Sequence, residues 1–151
     1  MKTYLYQHTQ SARSTALLSL IVPTLAAAAL SVFFPPARLL GVICFCLLLL
    51  ATILFCRLTI TVTADSLIWS FGFGILRWQA LLESIVEVER VPSRWTDGWG
   101  IHWTARGWLY NISGYDAVEI RLRNGKRFRL GSDKPDELLE AVGHARTFHK
   151  A

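Results

Sequence analysis

Two kinds of hydrophobic pattern divide the chain. From Ala16 to Phe34 the sequence ALLSLIVPTLAAAALSVFF carries no charge, and the run LLGVICFCLLLLATILF from Leu39 to Phe55 carries none either. Each approaches the roughly 20 helical residues that cross a hydrocarbon core. Pro35, Pro36, Ala37 and Arg38 separate the two runs. A break this short joins antiparallel helices, since the prolines cannot continue a helix and Arg38 resists burial. The pattern therefore predicts a membrane hairpin with both termini on one side. From Leu58 onward the period changes to two: Leu58, Ile60 and Val62 alternate with threonines, and Leu67, Trp69 and Phe71 alternate after a turn at Ala64, Asp65 and Ser66. Such alternation marks half-buried strands.

Further strands are expected at Ile75 to Trp78, Ile85 to Val91, Gly100 to Thr104, Trp108 to Ile112, Ala117 to Arg123 and Lys126 to Leu130. With no helix between them, these seven or eight strands predict a sandwich or barrel. The last element reads as a helix. Asp133 is a cap candidate, Pro135 suits the first turn, Asp136 and Glu137 complement the dipole, and Leu138, Leu139 and Val142 form an apolar stripe. The expected organisation is a cytoplasmic segment 1–15, transmembrane helices 16–34 and 39–56 joined by an external turn 35–38, and a cytoplasmic domain 57–151.

Composition sharpens this division. Of 151 residues, 52% are hydrophobic and 18% charged, yet residues 1–56 hold only Lys2, Arg13 and Arg38 as formal charges. The net charge of +5 thus splits into +3 there and +2 for residues 57–151, which hold 13 basic and 11 acidic residues. Lys2, Arg13 and Arg57 flank the open end of the hairpin and Arg38 its tip, which places the open end in the cytoplasm. A cleaved signal peptide ending near Ala26–Ala29 is the competing reading; the long polar segment before it and the second apolar run after it argue for a span. Either history leaves residues 57–151 in the cytoplasm. Cys44, Cys46 and Cys56 sit in or beside apolar helix and imply no redox or metal chemistry.

The strand Leu58 to Asp65, the segment WGIHWTARGWLYNISGYDAVEIRLRNGKRFRLGSDKP from Trp99 to Pro135 and the closing stripe Leu138 to Val142 resemble the bacterial pleckstrin-homology-like domains that follow one or two membrane spans. The resemblance implies a bent antiparallel barrel of about seven strands, capped by one C-terminal helix, and no catalytic activity. The expected fold class is a two-span transmembrane helical hairpin followed by such a barrel. Phosphoinositide binding is not carried over, because the first turn, Ala64 to Ser66, lacks the basic residues used for it.

Two features are candidates for contact with a ligand or partner. In RLRNGKRFRL the even positions Leu122, Phe128 and Leu130 must face inward together, which predicts a three-residue loop, Asn124 to Lys126, with a positive-φ glycine. Arg123 would then oppose Arg127, and Arg121 would oppose Arg129. Four guanidinium groups on one face fit anionic lipid headgroups or an acidic protein segment, although a solvated face is the plainer reading. The second feature is the loop Pro92 to Gly98, where Arg94 and Trp95 could meet the headgroup zone or fold over the barrel. Trp99, Ile101 and Trp103 share a strand face and read as core. His102 stands alone, and Asp116 and Glu119 point to opposite faces, so no active site, cofactor or metal site is expected. The expected function is a non-catalytic, membrane-anchored scaffold for a protein partner or a second copy, with lipid recognition as the alternative and no role for nucleic acid.

Overall fold

The computed structural model describes residues 4–12, 14–92, 100–112 and 116–150. Among them are nine strands and three α-helices. Strand β1 (Tyr4–Ser11) leads into helix α1 (Ser14–Phe33); a short 3-10 turn at Pro35–Ala37 leads to α2 (Arg38–Phe55). Strands β2 (Arg57–Thr63), β3 (Ser66–Phe71), β4 (Leu76–Leu81), β5 (Ile85–Pro92), β6 (Gly100–Thr104), β7 (Gly107–Asn111), β8 (Asp116–Leu122) and β9 (Arg127–Gly131) follow, and α3 (Pro135–Lys150) closes the chain.

The strands form two sheets, ordered β1-β2-β3-β4 and β5-β8-β9-β7-β6. This overturns the expected fold class: nine strands in two sheets replace a single barrel of about seven, and one strand precedes the helices. Only α2, among the described residues, is long and apolar enough to cross a membrane. Within α1, Ile21–Phe33 forms a shorter apolar stretch among the described residues. The two-span hairpin is therefore corrected as well. All pairings are antiparallel except β7 with β9, which run parallel from Trp108 opposite Phe128 to Tyr110 opposite Leu130.

Strand β1 explains how the helices join the sheets. It pairs with β2 from Tyr4 opposite Thr63 to Ser11 opposite Arg57, and the Ala12 amide donates to the Cys56 carbonyl (2.9 Å). The ladder thus continues to the point where α1 leaves and α2 returns. Along the helices, Gly41 allows the backbone of Ser31 to approach where a Cβ would collide. The Ser31 and Thr52 hydroxyls donate to carbonyls one turn back, Ala28 (2.7 Å) and Leu48 (2.8 Å), so neither is left unpaired in apolar surroundings.

One core serves both sheets and α3. Leu58, Ile60, Val62, Leu67, Trp69 and Phe71 enter from the first sheet, Val118, Ile120, Phe128 and Leu130 from the second, and Leu138, Val142 and Ala145 from α3. In β5 strict alternation fails. The register shifts between Ile85 and Glu87, a bulge that lets Ile85 and Val88 both turn inward, opposite Leu122 and Ile120. The bulged Val86 carbonyl accepts from Arg146 of α3 (2.8 Å). Arg90 ties β5 to Asp116 of β8 (3.0 Å) and to Asp136 of α3 (2.9 Å). Both are exposed pairs of the kind that contributes about 0–1 kcal/mol.

The start of α3 also meets β1. His8 Nε2 donates to Asp133 Oδ1 (2.6 Å), and Tyr6 lies close by with its hydroxyl buried. Burial, reinforced by the Glu137 and Asp133 carboxylates, pushes the Tyr6 phenol from its ordinary 10.0 up to about 12. The fold favours the neutral phenol. Its contribution to stability is complete below pH 10 and is lost as pH rises through about 12. Replacing Tyr6 with phenylalanine should flatten that alkaline decline. Chemical denaturation of both proteins across this window measures the effect; identical slopes would contradict it.

Candidate functional site

Strands β8 and β9 pair with Arg121 opposite Arg127 and Glu119 opposite Arg129. The Leu122 amide donates to the Lys126 carbonyl (2.8 Å), and the Gly125 amide donates to the Leu122 carbonyl (3.0 Å). The loop is three residues long, as the parity of buried positions requires, but occupies Arg123–Gly125, one residue earlier than expected. Gly125 takes the positive φ of 80° that such a loop demands. The Asn124 side-chain oxygen accepts from the Lys126 amide (3.0 Å) and stiffens the turn.

This register disperses the four arginines. Arg121 donates to Glu87 (2.8 Å), and Arg127 lies 4.0 Å from Glu119, so carboxylates are interleaved with the guanidinium groups. Arg129 is only 3% exposed, and its Nη2 donates to Thr104 Oγ1 (2.8 Å). Arg123 is exposed on the turn, where its backbone amide donates to the Ser84 carbonyl (2.8 Å). The quartet is thus not one cationic face: Arg127 turns toward a different feature, and Arg129 is structural. Arg94 and Trp95, the other candidates, lie outside the described residues, as does Trp99.

The feature that Arg127 borders is a cleft of about 680 Å³ between the β6–β7 and β8–β9 turns. Trp103 and Trp108 form its apolar wall, and Asn124, Lys126 and Arg127 its polar rim. The two indoles are cross-strand partners, 5.5 Å apart and nearly perpendicular at 84°. That edge-to-face arrangement is favoured between aromatic rings. Trp103, read from the sequence as core, is 69% exposed, and Trp108 is 44% exposed. Behind Trp108 the ring of Tyr110 lies 6.5 Å away and belongs to the core. The wall is therefore backed by the interior.

Two local devices hold the turns together. Gly107 has a φ of 97°, and a Cβ there would overlap the Arg127 carbonyl, so glycine allows β7 to pass close beside the start of β9. Thr104 Oγ1 donates to the Gly107 carbonyl (2.7 Å) and accepts from the Arg106 amide (3.2 Å) and from Arg129.

No family model matches the chain, and neither a curated protein nor a solved structure matches it. Nothing among these comparisons identifies the pleckstrin-homology-like family that the sequence resembles. The chemistry of the cleft can still be read from its lining. Among the described residues the lining comprises indoles, small residues, an amide and two cations, with no carboxylate, imidazole or thiol to act as base, nucleophile or metal ligand. Among the described residues no group of three or more His, Cys, Asp or Glu side chains is placed to hold a metal. Such a lining suits an anionic group with an apolar or aromatic portion, the anion meeting Lys126 and Arg127 and the apolar portion meeting the indoles.

Proposed function

We propose that the chain is a membrane-anchored, non-catalytic binding module whose Trp103–Trp108 cleft takes an acidic segment of a membrane-associated protein partner. The observation that carries this reading is the pair of exposed indoles packed edge to face beside two cations. Exposed tryptophan backed by a rigid core is the usual anchor of a protein–protein contact, and a charged rim sets orientation and partner choice. Anchoring is supported by α2, whose apolar side chains point almost entirely outward, 6% of the span being buried within the chain. The dispersal of the arginines among Glu87 and Glu119 lends less support to a sheet face that reads lipid headgroups.

A photoreactive benzoylphenylalanine placed at Asn124 in the full chain, within its native membrane, tests the proposal. A discrete protein adduct is expected. It should weaken when Lys126 and Arg127 are both changed to glutamate, because like-charge juxtaposition with an acidic segment costs several kcal/mol. A fall in adduct yield of roughly tenfold or more is the expected scale. Adducts with lipid alone would move the site to headgroup recognition, and the absence of any adduct would overturn the cleft as a contact site.

A further inference from the structure

We infer that the β3–β4 turn, residues 72–75, is a second membrane contact, an apolar tip that rests in the bilayer interface beside the end of α2. The inference depends on the reading that α2 lies in a membrane. Phe73 and Ile75 are 69% and 61% exposed in this four-residue turn, although large apolar residues at a hairpin tip gain nothing from water.

The position of the turn explains what covers them. The Gly72 amide donates to the carbonyl of Arg57 (2.9 Å), the first residue of β2 and two residues past the end of α2. Gly72 has a φ of 61°, and a Cβ on it would lie 3.0 Å from the Ile53 carbonyl oxygen, so the turn is packed against the last turn of α2. Phe55, the final residue of α2, meets Phe71 edge to face at 5.5 Å. The tip therefore projects where an apolar helix gives way to a polar domain, the depth at which aromatic side chains are favoured in a bilayer.

The charges nearby are also appropriate. The Arg57 guanidinium sits 4.6 Å over the Phe73 ring, and Arg77 is exposed two residues beyond the turn. Arginine at this depth can keep its stem along the apolar surface while its head reaches lipid phosphates. Two attachments, α2 and the tip, would hinder rotation of the sheets about the helix axis. The Trp103–Trp108 cleft lies at the opposite end of β6 from Gly100, the residue beside Phe55, so a fixed tilt would present the cleft in one orientation.

The test uses the full chain with Cys44, Cys46 and Cys56 changed to alanine and single cysteines introduced by Phe73→Cys, Ile75→Cys, Leu47→Cys or Glu140→Cys. Each is labelled with the environment-sensitive fluorophore NBD and reconstituted into phosphatidylcholine–phosphatidylglycerol vesicles. Labels at 73 and 75 should emit to the blue of the label at 140 and lose most of their emission to nitroxides placed near the headgroups. The label at 47, on the outward face of α2, should be quenched by nitroxides deep in the acyl chains. Water-like, unquenched emission at 73 and 75 with a quenched label at 47 would overturn the inference and leave the anchor intact. An unquenched label at 47 would instead overturn the membrane reading, and the inference with it.

Discussion

Replacing Trp69 with alanine is expected to cost about 3–5 kcal/mol, the range for deleting a large buried aromatic side chain. Against a total stability of about 5–15 kcal/mol for a domain, that loss leaves little folded margin. Trp69 is buried on β3, and its ring joins the two sheets: it stacks on Phe128 of β9 at 4.6 Å and meets Tyr110 of β7 edge to face at 5.3 Å. A cavity there removes contacts from both sheets at once, and adjacent strands cannot close it without losing their registers. Phenylalanine should be tolerated far better. The Trp69 indole N–H is buried with no hydrogen-bond partner among the described residues, so the smaller ring gives up volume but also relieves an unsatisfied donor. Denaturant unfolding of the full chain in detergent, followed by near-ultraviolet dichroism, ranks the three proteins. A loss below about 1 kcal/mol for the alanine variant would mean that Trp69 does not join the sheets.

That junction could not be read from the chain, whereas most of the strands it joins could. Alternation over Leu58 to Val62, Leu67 to Phe71 and Ala117 to Leu130 locates β2, β3, β8 and β9 to within a residue or two. The helix stripe is similarly local: Leu138 and Val142 are buried as expected, with Ala145 continuing the row. Pairing is different because it links distant residues. Thr9 faces Thr59 across the entire α1–α2 segment, and their hydroxyls share a hydrogen bond of 3.0 Å, yet nothing near Thr9 in sequence announces that partner. The strand itself left a faint trace in the alternation of Tyr4, Tyr6, His8 and Gln10, masked by its polarity and by the apolar run behind it. Likewise β8 pairs with β5 and β9 rather than with the β7 strand before it, so a succession of strands suggested one barrel where two sheets form.

The candidate site shows the same limit. Parity put Arg121, Arg127 and Arg129 on one face, but depth along the strands separates them. Arg129 pairs across from Glu119 in the middle of the sheet, and Arg127 reaches the open end. Trp103 has the period of a core residue and nevertheless lies one pair from a hairpin tip, where the sheet has run out of interior to cover it. The turn Ala105–Arg106 between Trp103 and Trp108 was the available signal, since cross-strand neighbours at a two-residue turn sit at an edge. The approach of that turn to Arg123–Gly125 depends on the parallel β7–β9 pairing, which no local pattern reveals.

Gly107 tests whether that approach is what builds the cleft. Alanine at position 107 meets two penalties. One is backbone strain, about 1–3 kcal/mol for a residue other than glycine held at a sparsely populated positive φ. The other is overlap of the new Cβ with the Arg127 carbonyl, which is main chain and cannot swing aside without disturbing the pairing of Trp108 with Phe128. Gly125→Ala is the matched control. Its φ of 80° imposes similar strain, but a Cβ there meets nothing within contact distance among the described residues. Gly107→Ala should therefore destabilise the chain more than Gly125→Ala in denaturant unfolding, and it alone should abolish the adduct formed from a photoreactive group at Asn124. Equal stability and equal adduct yield would mean that the two turns are not held against each other, in which case Trp103 and Trp108 form no preorganised wall and the cations of β9 act without them.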